Sequence, residues 1–75
     1  MNYKSYLFKI KSLNNNGKTA NKHCLDDERA IELAKKMVAE YPLDTTIEIL
    51  RVDEIEGMEH KQWIGKVEHV VRRTI

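Results

Sequence analysis

His23 and Cys24 stand side by side, the chain's one cysteine beside one of its three histidines. A thiol next to an imidazole is the first place to look for nucleophilic chemistry. A thiolate nucleophile needs a lowered pKa and a base within hydrogen-bond reach. The acids that follow, Asp26, Asp27 and Glu28, act in the opposite sense and raise the thiol's pKa. Adjacent residues of a strand also send their side chains to opposite faces. A small, partly buried structural cysteine fits these residues better than a catalytic one, and the chain is expected not to be an enzyme.

Three other groupings could do chemistry. His23, Cys24, His60 and His69 offer metal ligands, but their spacing fits neither a C-x₂-C nor an H-x₃-H pattern, so no metal or other cofactor is expected. Asp53, Glu54, Glu56 and Glu59 crowd four carboxylates together without the alternating oxygens and central glycine of a calcium loop; they read as a solvated hairpin turn. Gly17-Lys18-Thr19 ends like a phosphate-binding loop, yet Ser12 stands where that motif's first glycine belongs.

Charge is the stronger signal. Residues 1–25 hold five lysines and no acid, residues 26–60 hold eleven acids against four bases, and residues 61–75 hold four bases against Glu68, for a net charge of +1. Either these blocks pair across the fold or they form a bipolar surface that meets a charged partner. Lys9, Lys11, Lys18 and Lys22 are the candidate partner-binding cations.

The elements that must position these groups can be read from periodicity. A chain of 75 residues, 41% hydrophobic and 33% charged, suits one folded domain over residues 1–75. No apolar run approaches the roughly 18 residues of a membrane span, and the N-terminus lacks a signal peptide's apolar stretch. With a single thiol, a cytoplasmic protein that does not engage membranes is expected. In residues 6–11, Tyr6, Phe8 and Ile10 share one face of a strand, and Leu7, Lys9 and Lys11 share the other. Asn16-Gly17 predicts a hairpin turn, with a return strand over residues 18–24.

Ala30, Ile31, Leu33, Ala34, Met37, Val38 and Tyr41 recur at helical spacing, with Asp26 or Asp27 as cap and Pro42 as stop. Residues 45–52 and 61–71 read as two further strands, turning at Glu56-Gly57. The expected fold is α+β: a small, mainly antiparallel sheet of three or four strands, β(β)-α-β-β, with one helix packed on one face. Tyr6, Phe8, Ile10, Ile47, Ile49, Trp63 and Val67 are expected to face the helix, and Leu7, Leu50, Val52, Ile64 and Val70 to face away. That second set is too apolar for a solvated face: either strand twist or a bulge tucks some of these residues away, or the face is an interface, and the expected one is a homodimer held by Leu7, Leu50 and Ile64.

Two resemblances follow from these residues. The run from Tyr6 through Gly17-Lys18 to Asp27-Glu28-Arg29-Ala30 resembles the N-terminal arm-binding domain of phage-type integrases, over roughly half of the chain. It departs from that pattern in having Cys24-Leu25 where an aromatic residue precedes the helix. This resemblance implies a nucleic-acid-binding module that uses the basic hairpin, though the many acids would repel phosphate; in the charge pattern, Arg72 and Arg73 are the further cations expected to help it. The full layout, with Asp26, Ala30 and Ala34 spaced along the helix, resembles small phage-encoded inhibitors such as anti-CRISPR proteins. That implies a stoichiometric binder that masks a surface of a protein target. The second is the expected function, and nucleic-acid binding is the alternative.

Overall fold

The computed structural model describes residues 2–12 and 15–69. Strands β1 (Lys4–Ser12) and β2 (Asn15–Cys24) precede helix α1 (Asp27–Val38), and β3 (Thr46–Ile55) and β4 (Met58–Glu68) follow it. The four strands form one antiparallel sheet in the order β2-β1-β3-β4, so the expected α+β layout stands and residues 18–24 are part of a true strand.

Alternation in β1 does what the sequence predicts. Tyr6, Phe8 and Ile10 are buried beneath the helix with Ile47 and Ile49 of β3 and Val67 of β4. Across the sheet, Phe8 lies opposite Ile49 and Ile10 opposite Ile47, so the inward residues stack directly on one another. The helix contributes Ala30, Ala34 and Val38 to this core, while Ile31, Leu33 and Met37 pack around its margin. Small residues at the contact line let the helix lie close on the sheet.

Asp26 caps α1, its carboxylate accepting from the Arg29 N–H at 2.8 Å. Asp27 and Glu28 sit in the first turn and Lys35 and Lys36 in the last, the charge order that the helix dipole favours. The helix ends at Val38 rather than running on to Pro42, and Tyr41 packs on the core from the following turn.

Two bulges alter the register expected from strict alternation. Between β1 and β2, Ile10 lies opposite Lys18 but Ser12 opposite Asn15, one extra residue on β2. Gly17, at φ 55°, lies in that bulge, so Asn16-Gly17 bends the strand instead of forming the hairpin tip. Residues 13–14 lie outside the described residues, as do Val70, Val71, Arg72 and Arg73. Between β3 and β4, Ile49 lies opposite Gly65 but Leu50 opposite Trp63, which makes Ile64 the extra residue. The β3–β4 hairpin then runs to its expected turn, where Glu56 (φ 54°) and Gly57 (φ 79°) both take the left-handed backbone of a two-residue connection.

Candidate functional site

The face of the sheet opposite the helix has no element over it among the described residues. Its side chains form rows that can be read straight across the strands. The central row is Asn21, Leu7, Leu50 and Trp63. One step away on one side lie His23, Ser5, Val52 and Lys61; on the other lie Thr19, Lys9, Glu48 and Lys66. Leu7, Leu50 and Val52 are half-buried by their neighbours alone, and Trp63 is 58% exposed. A shallow hollow of about 590 Å³ lies over β1 and β2, bounded by Leu7, Lys9, His23, Val52 and Lys61.

Here the register bulge corrects the sequence reading. Trp63, expected against the helix, stands on the open face, and Ile64, expected on the open face, packs against the core. One inserted residue flips every later side chain to the other side. Gly65, which lies opposite Ile49 at the bulge, is the signal that could have warned of it, since a glycine inside a strand often marks a bulge.

The face is nearly balanced in charge. Lys9, Lys11, Lys61 and Lys66 share it with Glu48, Glu54, Glu59 and Glu68. Lys11 approaches Glu48 at 3.8 Å and Lys66 approaches Glu68 at 3.2 Å. Part of the segregation along the sequence is therefore cancelled within the fold. The four candidate lysines do not form one patch. Lys9 and Lys11 stand on the open face, whereas Lys18 and Lys22 lie opposite Ile10 and Tyr6, on the helix side of edge strand β2, with Lys22 also bordering the hollow.

On the helix side, a polar network that the sequence reading missed joins α1 to the sheet. Arg51 donates from Nη1 to Asp27 Oδ2 at 2.7 Å, from Nη2 to Gln62 Oε1 at 2.8 Å, and from Nε to Asp53 Oδ2 at 3.1 Å. Tyr6 donates to the other Asp27 oxygen at 2.7 Å. The Tyr6 bond, then Arg51, holds the Asp27 carboxyl below the usual carboxylate range. Burial, then the bond to Asp27, pushes the Tyr6 phenol well above its ordinary value. This network fastens the first turn of the helix to β1, β3 and β4.

The candidates for chemistry are placed apart. Cys24 is buried on the helix side, where burial and then Asp26 push its thiol up, while His23 lies on the open face. Among the described residues, no three His, Cys, Asp or Glu side chains converge to hold a metal ion, and no helix is long and apolar enough to cross a membrane.

Compared with known proteins, the chain matches no family model, no curated sequence and no solved structure.

Proposed function

We propose that the protein is a non-enzymatic interaction module that binds protein through its open sheet face. The observation that carries this reading is Trp63, 58% exposed in a direct row with Leu7 and Leu50. Tryptophan is the residue most enriched at interface hot spots, and a central apolar row rimmed by charge has the anatomy of a docking surface. Such a module acts stoichiometrically, by covering a surface of its target, in keeping with the resemblance of layout to small phage-encoded inhibitors.

The balance of charge on this face supports a protein partner over nucleic acid. A phosphate-binding surface needs an excess of cations. Glu48, Glu54, Glu59 and Glu68 offset the lysines of this face, and Lys18 and Lys22 lie on the other side of the sheet.

The test is capture from a bacterial lysate on the immobilised protein, with and without nuclease. Nuclease-resistant protein capture that is lost in Trp63→Ala is the expected result. Capture that vanishes with nuclease, or that ignores Trp63→Ala, would overturn the reading.

A further inference from the structure

If the open sheet is a protein-docking face, as proposed above from Trp63, its occupant in the absence of a target follows from its symmetry. We infer that in the free protein this face is covered by a second copy of the chain, paired about a two-fold axis that runs along the strands between β1 and β3. A foreign target would then have to displace that copy.

The strand order β2-β1-β3-β4 puts the midline of the sheet between β1 and β3. Rotation about this line exchanges β1 with β3 and β2 with β4, and keeps each cross-strand row over its own counterpart. The central row sets Leu7 against Leu50 of the second copy and Leu50 against its Leu7. The next row sets Lys9 against Glu48 of the second copy and Glu48 against its Lys9, because Lys9 and Glu48 are direct cross-strand neighbours. Symmetry thus makes two apolar pairs and two opposite-charge pairs.

Sheets packed face to face lie ~10 Å apart and are rotated by about 30°. One row from the centre, that rotation displaces the partners by only about 3 Å, within reach of lysine and glutamate. The alternative axis, across the strands through the Leu7-Leu50-Trp63 row, sets Lys61 against Lys66 of the second copy and leaves Glu48 against Val52. Charge therefore selects the axis along the strands.

Area is consistent with this choice. Four strands ~4.8 Å apart and four rows ~7 Å apart give a footprint of about 500 Å² on each copy. The total of about 1,000 Å² reaches the lower bound of a specific interface. A face of unbalanced charge would repel its own copy; this one does not.

The experiment is sedimentation equilibrium at low salt of the wild type, Lys9→Glu, Glu48→Lys, and an equal mixture of the two variants, with circular dichroism to confirm that each is folded. The wild type should show twice the chain mass of 8.8 kDa. Each variant alone sets like charges against each other twice and should dimerise at least about tenfold more weakly. The mixture restores both attractive pairs and should re-form the dimer, as a heterodimer. A wild type that stays monomeric at high micromolar concentration overturns the inference, as do single variants that dimerise normally or a mixture that gains nothing. If a charge reversal unfolds the chain, Lys9→Gln and Glu48→Gln replace it; both should weaken the dimer, and an unchanged mass overturns the inference. A wild-type monomer that still captures protein through Trp63 ends the inference and leaves the docking reading standing. A wild-type dimer whose capture of protein from the lysate ignores Trp63→Ala ends the docking reading and leaves the inference standing.

Discussion

Tyr6 and Asp27 meet at 2.7 Å, the phenol donating to a carboxylate at the first turn of the helix while Arg51 holds the other oxygen of the same group. The Asp27 carboxyl is held below its usual range, so its ionised form is favoured by folding. That stability is fully present above the unfolded carboxylate value of about 3.9 and is lost as pH falls through the lower folded value. Asp27→Asn should cost about 1 kcal/mol at neutral pH, discounted for the partial exposure of the group. It should also flatten the acid limb of a plot of melting temperature against pH. An acid limb identical to the wild type's would show that the carboxylate does not couple to folding.

The contact line of the helix gives a second test. Ala30 and Ala34 are fully buried, whereas Leu33 is only half-buried at the margin. Ala34→Leu should therefore destabilise by about 1–3 kcal/mol through overpacking. Leu33→Ala should cost less than the 2–5 kcal/mol typical of a buried leucine. Urea denaturation of both variants checks the order. A larger loss for Leu33→Ala would mean that the large residues, not the alanines, hold the helix down.

This asymmetry shows how far the sequence was legible. The apolar stripe of α1, the cap at Asp26 and the face shared by Tyr6, Phe8 and Ile10 all follow from spacing, because each is set by local geometry. Which side of the stripe meets the sheet depends on how closely the two layers approach, and periodicity does not encode that. The open face itself was legible, but not its exposed aromatic residue. Leu7 and Leu50 follow from alternation, but Trp63 joins their row only because Ile64 is inserted opposite the Ile49–Leu50 step. Arg51 was invisible for a similar reason: its partners Asp27 and Gln62 come from two other elements.

At the tip of the second hairpin, Glu56 holds φ 54° in a turn that asks for left-handed backbone at both central residues. Asparagine tolerates this conformation far better than glutamate does. Glu56→Asn should raise stability by about 0.5–1 kcal/mol, read as a higher melting temperature with an unchanged circular dichroism spectrum. A lower melting temperature would show that Glu56 holds the turn by a contact that asparagine cannot make.

Thr45, just before β3, is almost fully buried, and its hydroxyl finds no hydrogen-bond partner among the described residues. A buried polar group left unpaired costs about 1–3 kcal/mol, and valine has the same shape without that cost. Thr45→Val should therefore stabilise the fold by about 1 kcal/mol. Thermal melting decides it; a loss of stability would reveal a partner for the hydroxyl in solution.

The two pairs of hairpin lysines separate the binding hypotheses, because Lys9 and Lys11 stand on the open face while Lys18 and Lys22 stand on the helix side of edge strand β2, Lys22 reaching only the rim of the hollow. A protein face built on Leu7, Leu50 and Trp63 includes Lys9 but lies away from Lys18, which is exposed on the helix side of an edge strand. Reversing Lys18 and Lys22 together should leave the fold intact, since exposed charges contribute little to stability. It should leave the mass in solution unchanged as well. Binding to generic duplex DNA should be weak at physiological salt in wild type and variant alike. If the hairpin were instead a phosphate-binding ribbon, the double reversal would remove roughly two units from the slope of log affinity against log salt, one for each lost contact. Tight DNA binding with that drop in slope would transfer the function from the open face to the basic edge of β2.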